Sequence, residues 1–168
     1  MTQPTIGFIG AGNMAASLIG GLVARGFTPQ QLCAADPNAA GLQALAAQHG
    51  IHACTSNAEV AQRADILVLA VKPQVMKAVL TDLAPSVQSK HLILSIAAGI
   101  SMASMEQWLG GAPAIVRCMP NTPALVQQGA SGLVANARVS AVQREQAEAI
   151  LKAVGIALRS EEHTSELQ

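Results

Sequence analysis

One turn near the start of the chain limits what the rest can fold into. Gly10-Ala11-Gly12-Asn13-Met14-Ala15 directly follows the apolar run Thr5–Ile9 and directly precedes a stretch of apolar residues at helical spacing. A Gly-x-Gly-x-x-Ala turn between a strand and a helix has a distinct physical use. Gly10 permits the tight turn, Gly12 lets a pyrophosphate approach the backbone, and Ala15 lets the helix pack closely on a sheet. The phosphates would meet unpaired N–H groups and the positive end of the helix dipole. A glycine turn that only links strand to helix is the alternative.

The rest of the chain continues the same rhythm. Short apolar runs predict strands at Thr5–Ile9, Gln31–Ala35, Ile51–Ala53, Ile66–Val71, Leu92–Ile96 and Ala114–Cys118. They are continuous rather than alternating, as expected for a mostly parallel sheet covered on both faces. Met14, Leu18 and Leu22, with Ile19 and Val23, form a helical stripe that Gly26 would cap. Ser56 with Glu59 reads as a capping box, Ser101 opens Ser101–Leu109, and Ser140 with Gln143 opens a helix that should stop at Gly155. Ile156–Leu158 then reads as the start of a further strand. The expected fold is α/β, a Rossmann-type doubly wound sheet with helices on both faces, spanning residues 1–158. Residues 159–168 form a polar tail with no apolar face, which reads as a frayed end.

Composition removes several classes of function. Ten acidic and ten basic residues balance, so no basic field would gather nucleic acid. Charged residues are 12% and hydrophobic ones 51%, against about 25% charged in an average soluble domain, so the chain is rich in core. The apolar run Ile6–Ala24 lacks a preceding Lys or Arg and is broken by glycines and Asn13, so it reads as a buried strand and helix rather than a secretion signal or a membrane span. Cys33, Cys54 and Cys118 lack zinc-site spacing and read as buried thiols of a cytoplasmic protein. His49 and His52 are close in sequence without a third ligand near them, so no metal is expected.

Candidate site residues gather at predicted strand ends, where open α/β sheets bind ligands. Asp36 ends the second strand, placed either to hydrogen-bond an adenosine ribose or, with Pro37, to cap a helix. Ala70-Val71-Lys72-Pro73 follows the fourth strand. Lys72 could contact a cofactor phosphate or ribose or a substrate carboxylate, or be a solvated lysine. Asn57 reads as a capping residue first and a cofactor contact second. Ser95-Ile96-Ala97-Ala98-Gly99 offers only small side chains beside the fifth strand, suited to close passage of a nicotinamide ribose or simply to tight packing. Pro120-Asn121-Thr122-Pro123 would hold Asn121 and Thr122 in a rigid loop, either as a wall beside nicotinamide and substrate or as a plain turn.

Together, Ile9–Met14, Ala70–Pro73, Ser95–Gly99 and Arg117-Cys-Met-Pro-Asn-Thr-Pro-Ala124 resemble pyrroline-5-carboxylate reductase, over Thr5 to about Leu158. The resemblance implies reduction of the cyclic imine pyrroline-5-carboxylate to proline by NADPH or NADH. It implies cofactor contacts at Ile9, Gly10, Ala11, Gly12, Asn13, Met14, Asn57, Ala70, Val71, Lys72, Pro73, Ala97 and Ala98, with Asn121 and Thr122 near the nicotinamide. Many members carry Ser or another residue where this chain has Asp36, which leaves open whether NADPH or NADH is preferred. Members also continue into a helical domain that dimerises and completes the substrate site. That domain is absent here, so the chain alone should be inactive, and no catalytic residue is assigned. A β-hydroxyacid dehydrogenase and a non-catalytic dinucleotide-binding module are the competing readings.

Overall fold

The computed structural model describes residues 3–97, 99–118 and 133–161. Seven strands form one sheet: β1 (Ile6–Ile9), β2 (Leu32–Ala35), β3 (His52–Ala53), β4 (Ile66–Leu69), β5 (Leu92–Ser95), β6 (Ala114–Cys118) and β7 (Leu133–Ala135). Their order is β3-β2-β1-β4-β5-β6-β7, parallel throughout except for the β6–β7 pair. The helices are α1 (Asn13–Ala24), α2 (Ala39–His49), α3 (Asn57–Arg63), α4 (Pro73–Leu83), α5 (Met102–Leu109) and α6 (Ala141–Glu161).

The sheet sorts its side chains by the two-residue period of a strand. Ile6, Phe8, Leu32, Ala34, Ile66 and Val68 face one core with Leu18, Ile19 and Leu22 of α1, Leu42 and Leu45 of α2, and Ile150 and Leu151 of α6. Ile9, Cys33, Ala35, Leu67, Leu69 and Ile93 face the other, with Val60 of α3, Met76 and Leu80 of α4, and Met105 of α5. Both faces are therefore filled, as the continuous apolar runs require. Fully burying one such aliphatic side chain contributes about 1.5–3 kcal/mol. No helix among the described residues is long and apolar enough to cross a membrane.

The helix ends follow local chemistry. Gly26, at φ +98°, ends α1 in a Schellman arrangement: its N–H donates to the Val23 carbonyl and that of Phe27 to the Leu22 carbonyl. Ser140 and Gln143 form a complete capping box at α6, with Gln143 N–H donating to Ser140 Oγ at 3.1 Å and Ser140 N–H to Gln143 Oε1 at 3.0 Å. Ser101 Oγ likewise accepts from Ser104 N–H at α5.

Several expectations are corrected. Gly155 does not end α6, and Ile156–Leu158 is helix rather than strand. A glycine costs a helix about 1 kcal/mol, less than the gain from seating Ala147, Ile150, Leu151 and Ala153 in the core. Met14 is 50% exposed and lies off the α1 stripe, whose buried members are Ala15, Leu18, Ile19 and Leu22. Ile51, Ala70, Val71 and Ile96 lie just outside the strands assigned to them. The sheet gains β7, whose three residues are too few to announce a strand in sequence.

Candidate functional site

The sheet reverses direction at β1. From β1 the chain moves outward through α1 to β2 and then β3, and α3 returns it to β4 on the other side of β1. The crevice beyond the carboxyl ends of β1 and β4 is thus the topological switch point, where open α/β sheets bind ligands. Register aligns the strand ends that frame it: Ile9 is level with Ala35 and with Leu69, and Leu69 is level with Ser95. The residues that follow, Gly10, Asp36, Ala70 and Ile96, therefore emerge side by side.

The glycine turn is held from both neighbouring strands. Gly10 N–H donates to the Ala35 carbonyl and Ala70 N–H to the Ile9 carbonyl, each at 2.9 Å. Gly10 itself has φ +104°, and a Cβ there would lie 2.7 Å from the Ala70 carbonyl oxygen. Two separate constraints thus demand glycine. Gly12 differs: it caps α1 at φ −80°, and a Cβ on it would meet none of the described residues within 4 Å. Among the described residues no packing or backbone requirement explains glycine at this position. The open space above it is the cradle that a phosphate approaching the first N–H groups of α1 would fill. Gly12, Asn13 and Met14 are exposed while Ala15 is fully buried.

Asp36 closes the cradle on the β2 side. Its Oδ2 accepts from Ala11 N–H at 2.7 Å and its Oδ1 from Asn38 N–H at 2.8 Å. It does not cap α2. Asn38 is the cap, its side chain accepting from Gly41 N–H, and α2 starts at Ala39, two residues beyond Pro37. The Asp36 carboxylate instead fixes the conformation of the glycine turn.

Across the crevice, Lys72 is exposed at the N-cap of α4, with Pro73 at the first helical position, where a missing N–H costs nothing. Ala70 and Val71 are half-buried in front of it. Beyond β5, Ala97 is buried and its N–H reaches the buried Ser95 Oγ at 3.4 Å. Asn57 is half-buried in the first turn of α3. Ser56, not Asn57, is the cap, accepting from Glu59 N–H at 3.1 Å, while the Glu59 carboxylate turns to Thr55 rather than to Ser56. Ala98, Asn121 and Thr122 lie outside the described residues. The structure therefore brings Ile9–Met14, Asp36, Ala70–Pro73 and Ala97 to one edge of the sheet, with Asn57 beyond β3.

Two features of this region were not legible in the sequence. Gly7, inside β1, faces α3 so closely that a Cβ would lie 2.3 Å from Val60 Cγ1 and 2.9 Å from Ala64 Cβ. It sets the depth at which α3 packs behind the crevice. The thiols of Cys33 and Cys54 approach one another below it, and burial pushes the Cys33 thiol up to about 12, with Cys54 adding to the effect. At neutral pH Cys33 is a protonated core residue.

Comparison with known proteins agrees with this architecture. Residues 5–99 match the family described as NADP oxidoreductase coenzyme F420-dependent. A pyrroline-5-carboxylate reductase of Pseudomonas aeruginosa is 59% identical over 158 residues, covering 94% of this chain and 58% of that protein. The structure of a pyrroline-5-carboxylate reductase from Coxiella burnetii superposes with a TM-score of 0.82 at 40% identity, covering 92% of this chain and 57% of that one. The Plasmodium falciparum pyrroline carboxylate reductase with NADP bound gives 0.72 at 28% identity, covering 91% and 56%. The chain thus spans somewhat over half the length of the relatives it matches. With its Gly-x-Gly-x-x-Ala turn at the switch point of a doubly wound sheet, the chain belongs to this NADP oxidoreductase family and corresponds to the amino-terminal domain of the pyrroline-5-carboxylate reductases.

Proposed function

We propose that this chain is the dinucleotide-binding part of a cytoplasmic enzyme that reduces 1-pyrroline-5-carboxylate to proline with NADPH or NADH. The observation that carries the reading is Gly12, a glycine with neither a strained backbone nor a close neighbour among the described residues to justify it, at the mouth of the switch-point crevice. The pyrophosphate would rest on the N–H groups at the start of α1. Asp36 holds Ala11 so that the turn is preformed, and preformed sites lose less binding energy to ordering. Ala70–Pro73 and Ala97 would border the nicotinamide half, with Lys72 supplying positive charge. When bound, the reduced nicotinamide supplies hydride to the imine carbon. The share of this chain is to orient that ring and exclude water. Among the described residues the site offers no His or Tyr to act as a general acid, so in this reading the groups that hold the substrate belong to a helical region such as the relatives' remaining length would provide, which would also form the dimer. Residues 1–158 make up the binding domain in this reading.

A binding titration with an activity assay tests this. The purified 168-residue chain should quench or shift NADPH and NADH fluorescence on binding, and Gly12→Val should abolish the signal. It should show no pyrroline-5-carboxylate reduction alone, whereas a chain extended to the relatives' full length should. Turnover by the short chain, or none by the extended one, refutes the proposal. A non-catalytic dinucleotide-binding module is what remains if binding is seen and the extended chain stays inactive.

A further inference from the structure

At the β3 end of the sheet, three side chains of unlike chemistry converge. They are His52 in β3, Cys54 just after it, and Glu59 in the first turn of α3. One imidazole nitrogen, the thiol sulfur and one carboxylate oxygen all lie within 4.8 Å of one another, and His52 Nε2 is 3.1 Å from Glu59 Oε2. Each is placed by a different part of the fold. β3 pairs His52 with Cys33 of β2, and Cys54 N–H donates to the Ala34 carbonyl at 2.7 Å. Glu59 Oε1 accepts from Thr55 N–H at 2.8 Å and from Thr55 Oγ1 at 3.0 Å, which leaves Oε2 to face the other two. Sequence spacing suggested His49 as the neighbour of His52. Tertiary structure places His49 against Gly20 of α1 instead.

We propose that His52, Cys54 and Glu59 form a site for one borderline divalent cation, zinc being the type, with water in the fourth position. The donor set is one sulfur, one nitrogen and one oxygen, all accepted by zinc at about 2.0–2.3 Å, so a tetrahedral shell needs ligand atoms roughly 3.3–3.7 Å apart. Ligand atoms no more than 4.8 Å apart need shift by only about 1 Å to reach that spacing. Cys54 is 4% exposed at the floor, and the half-exposed His52 and Glu59 leave an approach from solvent. Thr55 supplies the outer hydrogen bonds that orient a ligating carboxylate. Those bonds, the Thr55 N–H first, hold the Glu59 carboxyl down at about 2, so the ligand is already ionised.

On binding, the Cys54 S–H bond breaks, its proton leaves to solvent and a sulfur–metal bond forms. The imidazole keeps one proton, carried on Nδ1, and the His52–Glu59 hydrogen bond is replaced by two bonds to the ion. In the metal-free chain burial, and then the Glu59 charge, push the Cys54 thiol up, only partly offset by the hydrogen bond from Cys33 and the charge of Arg63; a bound cation would reverse that balance. Such an ion would clamp the two-residue edge strand β3 to α3.

Cobalt(II) titration of the purified chain tests the site, because cobalt occupies zinc sites and gives a thiolate-to-metal charge-transfer absorption. One equivalent should saturate the band and excess zinc should erase it. Cys118→Ser should retain it, Cys54→Ser should lose it, and His52→Gln and Glu59→Gln should each weaken binding at least tenfold. Zinc should raise the Tm of the parent chain and not that of Cys54→Ser. The proposal is overturned by no band at one equivalent, by a band that survives Cys54→Ser, or by one lost in Cys118→Ser. Should Cys54→Ser fail to fold by circular dichroism, unchanged cobalt affinity in folded His52→Gln and Glu59→Gln chains overturns it equally.

Discussion

Gly10 and Gly12 share one turn, yet the structure gives them opposite roles, and substituting each in turn separates fold from function. At Gly10, alanine would be held at φ +104°, a conformation that costs an L-residue about 1–2 kcal/mol. Its Cβ would also sit 2.7 Å from the Ala70 carbonyl oxygen, a backbone atom whose own residue is anchored to β1 by the Ala70 N–H bond to Ile9. Relieving that overlap by shifting backbone adds about 1–3 kcal/mol, the usual range for overpacking. The sum is roughly 2–5 kcal/mol, or about 4–20 °C in Tm for a domain of this size. At Gly12 the accounts nearly cancel. Losing glycine at an N-cap costs a few tenths to about 1 kcal/mol, and the stiffer unfolded chain returns about 0.4–1 kcal/mol. Gly12→Ala should therefore melt within about 2 °C of the parent. Thermal denaturation of both variants, with NADPH titration of each folded protein, checks the pair. Equal Tm losses, or a Gly10→Ala chain as stable as the parent, would refute the division of roles.

Further outcomes follow from individual side chains. Asp36→Ser removes a carboxylate that would repel a 2′-phosphate, so NADPH affinity should rise relative to NADH by about tenfold, the worth of roughly 1.4 kcal/mol; an unchanged ratio of dissociation constants would count against Asp36 as the discriminating residue. Asn136 accepts from Ile115 N–H and Arg138 N–H and donates to Glu106 Oε2 and the Pro113 carbonyl, so Asn136→Ala should cost about 2–4 kcal/mol by denaturant unfolding, with cofactor binding retained in the folded fraction. His91 is buried with Nδ1 accepting from Gln88 N–H and Nε2 donating to the Ala61 carbonyl, and His91→Phe should lower Tm by leaving both backbone groups unpaired. Glu59 is held below its unfolded value, so it adds stability above about pH 4.5 that is lost as pH falls toward about 2. The Tm difference between the parent and Glu59→Gln, both metal-free, should shrink across that window and stay level above it.

What the sequence determined by itself was whatever rests on neighbours along the chain. Continuous apolar runs specify strands buried on two faces, and a glycine turn between strand and helix specifies a crossover. The cap at Ser140 reads directly because its partner, Gln143, lies one helical turn away. Tertiary structure decided whatever depends on elements that meet only after folding. Gly155 could not be judged without α1 to pack against, since a propensity cost of about 1 kcal/mol is outweighed by burial that sequence spacing does not reveal. Asp36 offered two local readings, and the Ala11 N–H, presented by a different strand, supplied a third. Gly7 is fixed by Val60 and Ala64, and His52 found its partner seven residues on rather than the nearer His49, because the β2–β3 register and the start of α3 set which atoms come within reach. Local chemistry chose the elements; the distances between them, which only packing sets, chose the site.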